Sequence, residues 1–206
     1  MPMERMLTDI EARIIGCLIE KEATTPDQYP LTLNALRTAC NQKSSRFPVT
    51  DYEEGEIGHA LRQLGDLRLV SEISAPRAAR YKHHTQEVVD LLKKEMAVLC
   101  VLMLRGPQTA GEIRTRCSRI HEFDDLDDLH YVLERLKQRH VPLAMTIPRG
   151  PGQKDDRHLH LLCGEPDLAA LPTPAPRSSS RDILAERIEE LTARVEALEQ
   201  RLDESS

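Results

Sequence analysis

The strongest constraint on the fold of this chain is that it repeats itself. Val98 and Leu102 parallel Ile14 and Leu18 at an offset of 84 residues, and Leu133 and Leu136 parallel Leu61 and Leu64 at an offset of 72. The offsets differ by 12, so the second copy has the shorter connections. Matching elements in matching order point to one supersecondary unit used twice.

In the first copy, Thr8 and Glu11 fit a helix-opening capping box. Ile10, Ile14 and Leu18 then recur at helical spacing, which predicts a helix over 8–21. The prolines of "ATTPDQYP" break it, and a second helix is expected over 32–41 with Leu33 and Leu36 inward. The polar stretch "CNQKSSRFPVTDYEEGEI" leads into a third helix, which should begin near Asp51 or Tyr52 and bury Ile57, Leu61 and Leu64. Strands are expected at 67–73 and 80–84 around a tip at 75–79. The second copy reads the same way: helices within 95–120, a Thr109–Glu112 capping box, a further helix and strand over 126–147, and a hairpin tip at 148–156 before "RHLHLL". Three helices followed by a β-hairpin is the winged-helix arrangement. The fold class is therefore mainly α with small β-hairpins (α+β). The domains are 1–84 and 85–164, two tandem winged-helix units.

After Gly164 the composition changes. Residues 165–180 are rich in Pro, Ser and Ala and read as a flexible linker. Residues 181–206 carry a heptad through Leu184, Ile188, Leu191, Val195, Leu198 and Leu202. Leu at d with β-branched Ile188 and Val195 at a favours a parallel two-stranded coiled coil, and Arg194 at g can meet Glu199 at e of a partner. A homodimer through this helix is the expectation. A single amphipathic helix folded back on its own chain is the alternative.

Hydrophobic residues make up 40% of the chain but aromatics only 3%, so the cores must be aliphatic, and aromatic stacking platforms for RNA or single strands are disfavoured. The net charge is −6, and residues 1–84 hold 11 Lys/Arg against 12 Asp/Glu. A duplex-binding site would have to be a local basic patch. The five cysteines are widely spaced and read as free thiols in a reducing cytoplasm. The N-terminus lacks an apolar signal core, and the longest apolar run, 96–104, is too short to span a membrane.

With these residues in view, the chain resembles the YceH-like family of bacterial proteins. The resemblance covers nearly all of 7–203 and rests on "LTDIEARIIGCLIEKEATTPDQYPL", "TACNQKSSR", "MLRGPQTAGEIRTR", "HEF" and "RVEALEQRL". It implies two winged-helix domains. It implies no established activity, and no catalytic residue carries over.

No chemistry announces itself. His158 and His160 form H-x-H on one strand face, without the further ligands that tetrahedral zinc needs, and are expected at the surface. His83 and His84 should point to opposite faces. Asp124, Asp125, Asp127 and Asp128 lack the pattern of a calcium loop and suit the first turn of a helix. No catalytic residue, cofactor or metal site is expected.

If double-stranded DNA is the partner, the third helix would enter the major groove and the hairpin would touch the backbone. The candidate contacts are then Lys43, Ser44, Ser45, Arg46, His59, Arg62, Arg77, Arg80 and Lys82 in the first copy. In the second they are Arg149, Lys154 and Arg157, with Arg114, Arg116 and Arg119 beside them. Lys43 and Arg46 stand first among these. Against this reading, both third helices open acidic, with "DYEEGE" and "DDLDD". Carboxylates facing phosphates repel them, so a scaffold that binds another protein without touching DNA is the alternative.

Overall fold

The computed structural model describes residues 5–75, 78–150 and 153–167, with Ile188 as an isolated helical position. Helix α1 (Asp9–Thr24) opens on the Thr8–Glu11 capping box and runs three residues past the expected end. A short strand β1 (Leu31–Thr32) leads into α2 (Leu33–Cys40), which Thr32 caps by accepting the Ala35 N–H. Helix α3 (Glu54–Asp66) starts two or three residues later than the sequence suggested, because Tyr52 is pinned outside it: its N–H donates to the Asn41 side-chain oxygen, and its carbonyl accepts from the Asn41 amide. Strands β2 (Val70–Ile73) and β3 (Arg80–His83) complete an antiparallel sheet in the order β1-β3-β2, with Leu31 opposite Tyr81 and Val70 opposite His83.

A short helix α4 (Thr85–Val89) connects to the second repeat: α5 (Lys93–Arg105), α6 (Ala110–Cys117), α7 (Leu126–Lys137), β4 (Ala144–Ile147) and β5 (Arg157–His160). The last two pair antiparallel, and Gln108 forms a bridge to His158 where the first half has a full strand. Thr109 and Glu112 form the expected capping box, and the Asp125 carboxylate caps α7 by accepting the Asp128 N–H. Ile57, Leu61, Leu64, Leu133 and Leu136 are all buried.

Helices α1 and α5 are buried around their whole circumference over 11–19 and 95–104. A helix apolar on every side belongs at the centre of a core. They pack on each other at Gly16, whose carbonyl accepts the Cys100 thiol at 3.3 Å. The buried side chains from Leu7 to Leu162 form one connected cluster. Residues from both 1–84 and 85–164 thus contribute to this one cluster. Equivalent carboxylates lie buried at the start of both central helices. Glu11 accepts from both Nη atoms of Arg5, and Glu95 accepts from Arg135 Nε and the Leu92 N–H.

A Cβ at Gly16 would lie 2.9 Å from both Cγ and Cδ2 of Leu104. Gly16→Val should thus overpack the crossing and cost about 1–3 kcal/mol. Gly58→Ala on α3, where a Cβ meets only the tip of Arg62 at 3.9 Å, should stabilise by up to about 1 kcal/mol. Urea melts of the two variants check both, and equal midpoints would refute the tight crossing. Among the described residues no helix is long and apolar enough to cross a membrane.

Candidate interaction surface

The loop between α2 and α3 is held from beneath by two buried arginines. Arg13, on α1, donates to the Cys40 carbonyl at 3.0 Å, the Pro48 carbonyl at 2.7 Å and Thr50 Oγ1 at 3.4 Å. Arg46 points inward. Its side chain is fully buried, and it donates to both Glu20 oxygens at 3.2 and 2.6 Å. Further bonds reach the Ala39 carbonyl, the Ser45 carbonyl and Gln42 Oε1. Burial opposes the charge on Arg46, but the nearby Cys17 and Glu20 hold its pKa above the ordinary value. Burial likewise raises the Glu20 carboxyl, and the Arg46 charge overcomes it and keeps Glu20 below its usual range. This corrects the expectation that Arg46 is an outward contact: a guanidinium with a half-buried carboxylate and three further acceptors around it has no donor left to offer a phosphate.

The other candidates separate into tied and accessible groups. Ser45 sits at φ 59°, and its hydroxyl accepts from Arg105 at 2.7 Å. Arg80 donates to the Pro30 carbonyl, and Arg157 to Glu112 and the Pro107 carbonyl. Arg149 donates to the Lys154 carbonyl, and Arg114 to the carbonyls of Phe123 and Asp124. Lys43, His59, Arg62 and Lys154 are exposed, while Ser44 and Lys82 are half-buried. Arg116 and Arg119 are half-buried on and just after α6. Arg77 and the heptad positions Leu184, Leu191, Val195, Leu198 and Leu202 lie outside the described residues; Ile188 is helical and 62% exposed.

The exposed ends of the third helices are acidic. Glu53, Glu54 and Glu56 face solvent at the start of α3, and Asp124, Asp125 and Asp127 at the start of α7. Large apolar side chains are exposed beside both: Phe47 (44%) and Val49 (58%) before α3, Leu126 (43%) and Tyr131 (58%) on α7.

The histidines also depart from expectation. His158 is buried rather than at the surface, its backbone bridged to Gln108 and its Nδ1 3.3 Å from Thr146 Oγ1. His160 is half-buried, with a sealed Nδ1 that has no partner. The strand that carries them packs on α5, and the adjoining segment pairs with the N-terminal arm through the Leu7 N–H and Leu162 carbonyl. His83 is buried with Nε2 3.0 Å from Glu22, while His84 lies half-buried against Ser71. No group of three or more His, Cys, Asp or Glu among the described residues is placed to hold a metal ion.

The match to known sequences runs from before α1 into the second half of the chain. A family model described as a protein of unknown function, DUF480, matches residues 7–153. The chain belongs to the DUF480 family. The DUF480 match begins where α1 is about to open and ends in the β4–β5 hairpin tip, before β5. The UPF0502 protein Smlt0097 of Stenotrophomonas maltophilia is 47% identical over 205 residues, covering 97% of this chain and 94% of its own. A UPF0502 protein of Xanthomonas campestris, xcc-b100_4348, is 48% identical over 194 residues, covering 94% and 86%. The UPF0502 protein GSU0233 of Geobacter sulfurreducens is 48% identical over 186 residues, covering 89% and 85%. These matches agree with the YceH-like resemblance.

Proposed function

We propose that this chain is a non-enzymatic tandem winged-helix protein that docks another protein on the exposed starts of its third helices. The element order of each half, and the β1-β3-β2 sheet of the first, are the features that support a winged-helix reading. The observation that carries the docking reading is charge placement. The first turns of α3 and α7, which would meet the major groove in a duplex-binding module, present carboxylates beside exposed apolar side chains. Depletion of cations and exposure of large apolar groups suit a protein partner better than a phosphate backbone.

DNA is the second reading, favoured by the exposure of Lys43 in the α2–α3 loop and of His59 and Arg62 on α3. One set of variants separates the two. Reversing Glu53, Glu54 and Glu56 to Lys should release a stoichiometric partner recovered from native extract, while Lys43→Ala with Arg62→Ala leaves that complex intact. Retention of random-sequence duplex at low salt, lost steeply with added salt and weakened by the Lys43 and Arg62 changes, would overturn the docking reading. The same proposal takes 181–206 as a homodimerising coiled coil. Removing that segment should halve the solution mass, and an unchanged mass would refute it.

A further inference from the structure

We propose that Phe47 is the anchor of the docking surface and that the partner it fits is a basic amphipathic helix. The inference rests on the protein-docking reading above and names the chemistry of that partner.

Of the two phenylalanines in the chain, Phe123 is buried and Phe47 is 44% exposed. The exposed ring is held from several directions. The Phe47 N–H donates to the Leu104 carbonyl at 2.8 Å. The residue before it, Arg46, is buried and bound to Glu20, and the carbonyl of the residue after it, Pro48, accepts from Arg13 at 2.7 Å. The ring rests on Gly106, where a Cβ would stand 2.9 Å from Phe47 Cδ1 and where φ is 65°, a backbone that favours glycine. Leu104 lies in the last turn of α5 and Gly106 just past its end, so the second half of the chain mounts a side chain of the first. An aromatic ring positioned in advance offers contact area at little further loss of side-chain freedom, which is what an interface hot spot needs. Val49, also exposed, extends the apolar surface.

Charge and backbone chemistry select the occupant. From Phe47 to Ile57 every charged residue is acidic and exposed: Asp51, Glu53, Glu54 and Glu56. Residues 181–206 of the same chain carry four Arg against eight Asp and Glu, and a second copy of this surface would set carboxylates against carboxylates. Neither complements it, whereas a cationic segment with apolar side chains does. An extended segment would bind by adding a strand, which needs unspent main-chain donors and acceptors. Around Phe47 they are spent. The Ser45 carbonyl accepts from Arg46, the Phe47 N–H goes to Leu104, and Pro48 has no N–H and a carbonyl that accepts from Arg13. A helix satisfies its own backbone and presents an apolar stripe for Phe47 and Val49, with cations on its flanks for the carboxylates.

The test uses the full chain and a fluorescein-labelled synthetic peptide of Leu and Lys, about four turns long, with its Leu at helical spacing. Fluorescence anisotropy should show saturable binding. A peptide of the same composition with Leu and Lys in strict alternation should bind about tenfold more weakly, and Phe47→Ala should weaken the helical peptide about tenfold. Both comparisons hold charge constant, so the general attraction between an acidic protein and a cationic peptide cancels in them. Phe47→Ala keeps every backbone bond of the loop, and Gly106→Ala, which displaces the ring without removing it, should weaken binding in the same direction. Equal affinity of wild type for the two peptides would overturn the helical partner. Equal affinity of wild type and Phe47→Ala for the helical peptide would overturn the anchor. Reversal of Glu53, Glu54 and Glu56 that releases the partner from native extract, with Phe47→Ala retaining it, would likewise overturn the anchor but leave the docking reading in place. Duplex retention of the kind described above would overturn that reading itself.

Discussion

Arg46→Ala is expected to lower the unfolding free energy by about 3–5 kcal/mol, the scale of breaking a buried ion pair from one side. The Glu20 carboxylate would keep its place, with 18% of its side chain exposed, and lose its bidentate partner. Three neutral acceptors, at Ala39, Ser45 and Gln42, would lose their donor as well. Arg46→Lys retains the charge but not the fork that reaches all of these groups, so it should fall between wild type and alanine. Replacing both partners, Glu20→Gln with Arg46→Met, should recover part of the loss because no lone charge is left behind. Urea midpoints of the four proteins decide it. A loss below about 1 kcal/mol in Arg46→Ala would mean that Arg13 and the backbone hold the loop unaided.

The misplacement of Arg46 shows where reading from sequence stopped. The helices announced themselves because their signals are local. Thr8 with Glu11 and Thr109 with Glu112 are three residues apart, and Ile14 with Leu18 four. The repeat was legible for the same reason: each local signal recurs in order. Arg46 lies in a polar loop, among residues that suit solvent, and its partner Glu20 is 26 residues earlier on another element. Nothing within a turn of Arg46 distinguishes a guanidinium directed at a phosphate from one directed at a carboxylate inside the fold. Arg13 gave one signal that could have been used. It stands in an apolar helical run, at a position buried on all sides, and a cation there requires acceptors from outside the helix. Those acceptors are the loop carbonyls of Cys40 and Pro48. The exposed carboxylates before α3 and α7 were legible, since the first turn of a helix favours negative charge whatever the rest of the chain does. Their exposure beside Phe47, Val49, Leu126 and Tyr131 was not, because it depends on which faces the two repeats hide against each other.

A second large effect is expected with pH. Burial, reinforced by the charges of Lys137 and His130, pushes the His158 imidazole down to about 4. Burial does the same to His160, against a smaller opposing pull from Asp9, and also brings it to about 4. An unfolded histidine titrates near 6.5. Between about 4 and 6.5 the unfolded chain therefore binds protons that the folded chain refuses, and stability rises with pH across that window. The contribution is complete above the unfolded value and is lost as pH falls toward the folded one. For His158 the linkage gives a loss of about 2 kcal/mol on going from pH 7.5 to pH 5, which lies above the ordinary carboxylate range. His160 should add a loss of the same sign. The expected observation is a urea midpoint that falls steeply between those pH values. In His158→Gln, whatever its stability at pH 7.5, the fall should be shallower by roughly that amount. The slope is the informative quantity, because a side chain that merely fills space would change stability equally at both pH values. An identical slope in wild type and His158→Gln would mean that His158 takes up its proton in the folded state, and that its place on β5 is open to water rather than buried.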